Sequence, residues 1–491
     1  MTEAVKRRMQ STSSRGLALA LLAATQFVLI LDIAIVTVAL PSIGTDLDFA
    51  PADLSWVINA YALLFGGFLL LGGRMSDLIG RRRMFMAGLI IFTAASLAGA
   101  LAQSALWLVI ARGAQGLGAA LVSPAALSLV MNLFPEGAER NKALGIWGAV
   151  AGSGGAAGAI LGGILTDVFS WEAVLYVNIP VGIAAVALAP RLLPVGRDLG
   201  GVRSFDVAGA VSVTAGLALL IYAVVDAPNA GWGSTQTLLL GAVAVALLAA
   251  FVAIEASTKR PLLPLRTFRN GMLRSANLGA VLTTAALFPM WFLLTLYTQA
   301  VLGYTPLEAG LAQLPIALLI VATAAPAQQL VTRIGPRIPF AAGLLLVAGA
   351  LFWFSRVSAD GSFLADILGP SVLAGIGGAL AFIAGTIAAT TGAADEDAGL
   401  ASGLLNTSQQ VGGAIGVAAI AAIATAQTND VLATGGAVTT ALTEGYQTGY
   451  LVVAGVALAA AVVVAVLVPG RRIAVAPDDT EAEAPPVQLA A

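Results

Sequence analysis

Apolar residues recur along this chain in long blocks, punctuated by short charged or Gly- and Pro-containing segments. A helix rises ~1.5 Å per residue and a bilayer's hydrocarbon core is ~30 Å thick, so about twenty apolar residues make one crossing. On that measure the pattern predicts fourteen helical spans, at 16–40, 54–73, 84–102, 106–133, 142–166, 173–193, 205–226, 237–256, 275–301, 309–331, 338–357, 363–391, 399–426 and 446–468. They group into a six-span N-terminal half (16–193), two central spans (205–256), a basic cytoplasmic loop (257–274) and a six-span C-terminal half (275–468). Residues 1–15 and the Pro- and acid-rich segment 469–491 read as disordered cytoplasmic tails.

Composition agrees with an all-α integral membrane protein: 59% of residues are hydrophobic, 10% are charged and the mean hydropathy is +0.93. With neither Cys nor His among 491 residues, disulfides, thiolate chemistry, Cys/His metal sites and imidazole catalysis are excluded. Proton chemistry must rest on carboxylates. No nucleotide loop or metal-ligand cluster supports an enzyme or a sensor, and neither a cofactor nor a nucleic-acid partner is expected.

Basic residues accumulate in cytoplasmic loops. Placing the N-terminus inside puts 22 of the 24 Lys and Arg residues on that side, leaving Arg356 outside and Arg112 within a span. The opposite loops are acidic, with Asp46, Asp48, Glu172 and Asp366 among them. Internal echoes point to a transporter built from two repeats. The loop Gly73 to Arg83 is echoed by Thr332 to Arg337, and the glycines of the fifth span by those of the thirteenth.

Asp32 is the residue most in need of a role. An ionised carboxylate in a span costs several kcal/mol unless it is paired or hydrated. Counting from the outer span ends, Asp32 lies roughly 12 Å deep and Arg112 roughly 9 Å deep, so opposite charges sit at similar depth. The alternative for Arg112 is snorkelling to the interface.

Several motifs together resemble the major facilitator superfamily and, within it, the fourteen-helix drug:proton antiporter group. Gly73-Arg-Met-Ser-Asp77-Leu-Ile-Gly80-Arg81-Arg82 is similar to the superfamily's loop signature, and Arg112-Gly-Ala-Gln115-Gly116-Leu-Gly118 to its fourth-helix motif. Leu31-Asp32 through Leu40-Pro41 resembles the first-helix motif, and Gly158-Ala159-Ile-Leu-Gly162-Gly163 the antiporter motif of the fifth helix. The pattern around Tyr297, Gln299, Gly303, Tyr304, Pro306, Gly310 and Pro315 also fits. Three features depart from the group. Ala159 stands where Pro is usual, Glu172 and Ala173 replace Arg and Trp, and spans ten and thirteen carry no acid.

The resemblance implies a multi-pass plasma-membrane carrier acting as a monomer, exporting lipophilic, often cationic, drugs or antibiotics in exchange for protons. In that reading Asp32 and Arg112 couple protons. Burial favours a neutral carboxyl and a guanidinium favours an ionised one, so a changing environment can load and unload the proton. Gly73, Asp77, Gly80, Arg81 and Arg82 form a gating loop that latches the two halves. Asn59, Tyr61, Gln115, Asn178, Trp291, Tyr297, Asn406, Gln409 and Gln410 are expected to line the substrate cavity, although aromatics such as Trp291 and Tyr297 more often form an interfacial belt. Gly116, Gly118, Gly158, Gly162 and Gly163 permit close helix packing. A dedicated exporter of one endogenous antibiotic would use the same machinery, whereas a proton-coupled metabolite symporter would show proton-driven uptake instead of efflux.

Overall fold

The computed structural model describes residues 3–50, 53–134, 138–194, 206–258, 270–390 and 398–470. Most of the 257–274 loop and the tail beyond Gly470 lie outside these residues. No water in a bilayer core can satisfy backbone groups, so apolar segments close their hydrogen bonds internally as helices. The helices fall on the apolar windows. They are α1 (Glu3–Asp46), α2 (Trp56–Ile79), α3 (Arg81–Ala100), α4 (Ala105–Leu133), α5 (Ala138–Val168), the short α6 (Ala173–Tyr176) and α7 (Asn178–Leu192). After them come α8 (Val207–Ala230), α9 (Thr235–Ser257), α10 (Gly271–Leu296), α11 (Pro306–Ile334), α12 (Arg337–Phe354), α13 (Leu368–Thr390), α14 (Ala398–Ala433) and α15 (Val438–Leu467). Among the described residues, eleven helical spans are long and apolar enough to cross a membrane, and Trp56–Leu69, Ala157–Val168 and Ala208–Val224 are shorter apolar stretches.

One expectation fails at the start of the chain. Helix α1 begins at Glu3, so most of the segment expected to be a disordered tail extends the first helix. Its Glu, Ala, Lys, Arg, Met and Gln residues are good helix formers, which hydropathy alone does not register.

Two repeats are visible in how the helices touch. In the N-terminal half α3 packs on α4, α2 on α4 and α1 on α5. In the C-terminal half α12 packs on α13, α11 on α13 and α10 on α14. The same backbone contacts make each pair. A Cβ added to Gly88 would lie 2.7 Å from the Gly118 carbonyl oxygen, and one on Gly343 would lie 2.7 Å from that of Gly377. Gly116 backs onto the Tyr61 carbonyl as Gly375 does onto that of Ile316. Gly158 and Gly162 press on the Leu31 and Ile35 carbonyls as Gly412 and Gly416 do on those of Val281 and Ala285. The two loop echoes share a conformation as well. Gly80 (φ 110°) ends α2 and Gly335 (φ 83°) ends α11, a region of backbone space that L side chains rarely occupy.

The halves meet along two seams, α5 with α11 and α2 with α14. At the distal end of the bundle, which holds Asp46 and Trp171, Gly163 packs on Pro306 and Leu307, and Gly310 packs on the Ala159 carbonyl. There α10 passes into a π-helical turn (Tyr297–Val301), from which Gln299 Nε2 donates to the Val38 carbonyl of α1 at 2.8 Å. At the other seam Gly66 of α2 faces Gln410 of α14. The central pair α8 and α9 flanks that second seam. Ile221 of α8 is buried with Ala62 of α2 and with Ala414 and Ala418 of α14, and Thr214 Oγ1 donates to the Gly67 carbonyl at 2.8 Å.

Candidate functional site

Five elements of the N-terminal half bring polar side chains to one point. Asp32 of α1 and Arg112 of α4 are 0% and 1% exposed, and Arg112 Nη1 lies 2.6 Å from Asp32 Oδ2. Gly158 and Gly162 allow α5 to lie directly against the turn of α1 that carries Asp32, and Gly116 does the same for α4 against α2. Without those glycines the charges could not be enclosed so closely.

Both members of the pair are held by further bonds. Arg112 Nε donates to the Val57 carbonyl at 3.0 Å, and Nη1 also donates to Gln115 Oε1 at 2.8 Å. The Tyr61 ring lies under the guanidinium, 4.6 Å from Cζ to the ring centroid, an arrangement that adds cation–π attraction. Asp32 Oδ1 accepts from Asn178 Nδ2 at 2.7 Å and from Gln115 Nε2 at 3.2 Å. Behind these amides stands Ser96 of α3. Its Oγ accepts from Asn178 Nδ2 at 3.0 Å and Gln115 Nε2 at 3.1 Å, and donates to the Leu175 carbonyl at 2.9 Å. All the groups facing Asp32 in this arrangement are donors, which suits an ionised carboxylate.

Of the residues expected around a substrate cavity, Tyr61, Gln115 and Asn178 belong to this buried cluster. The structure does not gather the others with them. Asn59 is fully buried with neither amide atom bonded, and it lies seven residues from Gly66, hence on the face of α2 that packs on α14. Gln410 is buried opposite Gly66. Gln409 lines a small crevice with Thr283, Thr284 and Phe340 inside the C-terminal half, and Asn406 is exposed near the start of α14. Trp291 packs half-buried against the main apolar cluster. Tyr297 is buried, and its hydroxyl donates to the Ser358 carbonyl at 2.8 Å, a tie to the distal α12–α13 connection.

In the loop motif, Gly73 lies on α2 near Pro124 of α4, and Gly80 makes the turn described above. Arg82 Nη1 donates to the Pro190 and Leu193 carbonyls at 3.3 and 3.2 Å, at the end of α7 in its own half. Those bonds tie the loop to the end of α7, where the unpaired carbonyls of a helix C-terminus attract a cation. The Asp77 side chain lies outside the described residues.

Sequence reasoning missed Ser96 and the Val57 and Leu175 carbonyls. Ser96 lies four residues, roughly 6 Å, from the distal end of α3. A depth comparable to that of Arg112 was its one available signal.

The major facilitator superfamily model matches residues 22–417. The chain belongs to that superfamily. It is 43% identical over 417 residues to the cephamycin export protein CmcT of Amycolatopsis lactamdurans, covering 84% of this chain and 86% of that protein. It is 37% identical over 460 residues to the puromycin resistance protein pur8 of Streptomyces alboniger, covering 92% and 91%. A peptide transporter crystallised with sulfate has the same fold, with a TM-score of 0.68 at 15% identity over 93% of this chain and 95% of its own. An inward-facing bacterial homologue of the lysosomal transporter Spinster aligns with a TM-score of 0.66 at 17% identity, over 93% of this chain and 97% of its own. This superfamily member is therefore a multi-pass plasma-membrane transporter and not an enzyme.

Proposed function

We propose that the chain is a proton-coupled antiporter exporting lipophilic, often cationic, drugs or antibiotics by alternating access. It crosses the membrane fourteen times as a monomer with both termini in the cytoplasm, so its distal end faces outside. The observation that carries the reading is the fully enclosed Asp32–Arg112 pair at 2.6 Å. A proton reaching Asp32 from outside cancels the carboxylate charge and releases Arg112 to Gln115 and the Val57 carbonyl. The N-terminal half then loses its strongest internal bond, and the two halves rock about Asp32 until it loses the proton inward. One charge moving through ~100 mV is worth ~2.3 kcal/mol, so a single proton per cycle supports useful accumulation.

In this cycle Gly73, Asp77, Gly80, Arg81 and Arg82 shape the cytoplasmic gate. Asn59, Gln410, Asn406 and Trp291 become wall groups when the seams part. Loose apolar walls with few polar groups favour breadth of substrate. The 43% identity to a cephamycin exporter favours a second reading, a dedicated exporter of one endogenous antibiotic. The resistance profile of an expressing strain separates breadth from dedication.

The central test is drug-driven proton flux in proteoliposomes. Asp32→Asn is expected to insert normally and to lose proton-coupled efflux down to the background of empty vesicles. Undiminished gradient-driven efflux by that variant would falsify the reading.

A further inference from the structure

Asn178 is satisfied on one side only. Its Nδ2 donates twice, to Asp32 Oδ1 and to Ser96 Oγ, while its Oδ1 is buried with no partner. The arrangement is complete for an ionised Asp32, whose oxygens receive Arg112, Gln115 and Asn178. A protonated Asp32 has the opposite need, since its new O–H must find an acceptor. Arg112 offers none. Gln115 Oε1 already accepts from Arg112. Two oxygens in this cluster are buried without a partner, Tyr61 Oη and Asn178 Oδ1, and of these only Asn178 belongs to a side chain already bonded to Asp32.

We propose that Asn178 and Ser96 are positioning residues that read the protonation state of Asp32 by reversing the direction of their hydrogen bonds. The inference rests on Asp32 being the proton carrier. Before uptake, the Asn178 amide N–H groups point at Asp32 and Ser96. On uptake, a hydronium ion transfers one proton to Asp32 Oδ1, forming its O–H bond, and leaves as water. The Asn178 amide then turns over about its terminal torsion, and Oδ1 takes the place of Nδ2. It accepts from the Asp32 hydroxyl across the 2.7 Å contact. The Ser96 hydroxyl swings from the Leu175 carbonyl and donates to the same oxygen across the 3.0 Å contact, still accepting from Gln115. The exchange needs no helix to repack. Its cost is that Nδ2 takes the buried position of the unpartnered Oδ1 and the Leu175 carbonyl gives up the Ser96 hydroxyl, which makes the protonated state the less stable arrangement of the cluster.

Among the described residues, the charge-bearing or titratable groups facing Asp32 are Arg112 from α4 and Tyr61 from α2. α3 and α7 contribute the neutral Ser96 and Asn178, and α5 contributes Gly158 against the adjoining backbone.

Infrared difference spectroscopy of the purified full-length protein in lipid nanodiscs, titrated with pH, tests this without transport. The protonated-carboxyl band that disappears in Asp32→Asn belongs to Asp32. In Asn178→Leu, which keeps the branched shape but has no acceptor, that band is expected at higher wavenumber because the carboxyl O–H has lost its hydrogen-bond acceptor. In Ser96→Ala the amides lose their anchor, and the protonated-carboxyl band is expected to broaden and move in frequency as Asn178 and Gln115 lose their shared partner. Ser96→Thr restores it. A band that vanishes in Asp32→Asn but keeps its frequency in Asn178→Leu overturns the proposal and leaves the antiport reading standing. If Ser96→Ala does not fold, Asn178→Leu decides alone. If no band is lost in Asp32→Asn, the antiport reading itself falls, and this inference with it.

Discussion

The two halves of the bundle have the same skeleton and opposite interiors. Their glycine contacts align Leu31 with Val281, Ile35 with Ala285, Phe92 with Val347, Gly116 with Gly375 and Gly118 with Gly377. By that register Asp32 corresponds to Leu282, Arg112 to Ser371, Gln115 to Ala374 and Ser96 to Leu351. The site that holds a buried ion pair in one half holds apolar side chains and one hydroxyl without a partner in the other. The C-terminal half does have a buried polar bond, from Gln313 Nε2 to Thr295 Oγ1 at 3.1 Å, but it joins neutral groups. Backbone approach therefore defines the repeat, and charge has been placed in one copy only. A frame that folds without the pair in one half does not need it for folding in the other, which points to a working role.

The comparison breaks most sharply at Arg112. Arg112→Ser copies the C-terminal residue and leaves Asp32 enclosed without its cation. It should cost about 3–5 kcal/mol, read as lost thermal stability in detergent, and should abolish efflux. Adding Asp32→Leu makes the site resemble its counterpart. The double variant should recover most of the lost stability while remaining inactive, since apolar replacement of a buried pair is often neutral or better. Failure to recover would mean that the N-terminal frame depends on its charges.

The shared skeleton makes a smaller, symmetrical prediction. Gly116→Ala and Gly375→Ala each push a Cβ into a facing backbone carbonyl, and each should cost about 1–3 kcal/mol, the usual range for overpacking. A cost confined to Gly116 would show that the halves share a shape and not a packing requirement. Smallest of all is Ser371→Ala, which removes the unpartnered hydroxyl. It should be neutral or stabilising by up to about 1 kcal/mol, read by the same thermal assay with efflux unchanged.

Much of this was legible in the amino-acid order. Helix ends mostly fall within a few residues of the apolar windows, because hydropathy and the need to close backbone hydrogen bonds both act over the same bilayer thickness. The similar depth of Asp32 and Arg112 came from counting along two spans, and their pairing only from the resemblance to a family in which both spans face the cavity. Depth does not give azimuth, however. Tyr297 and Trp291 look like cavity aromatics in sequence, yet one is tied to Ser358 and the other packs in the main apolar cluster. Ser96 was invisible for a different reason. Serines in membrane helices usually bond their own backbone, so a single one carries no mark of a tertiary role.

The central helices gain a meaning from how α8 is attached. It is bonded to α2 through Thr214 and the Gly67 carbonyl, while Ala414 and Ala418 of α14 meet it with methyl groups. One side is a fastening and the other a smooth track. When the halves rock, the α8–α9 hairpin should travel as a passenger of the N-terminal half and glide along α14, much as a door carries its weather strip across a fixed jamb. Spin labels should then report a constant distance from α8 to α2 and a changing one from α8 to α14 through the cycle. The side of the molecule facing that strip would stay sealed in every state.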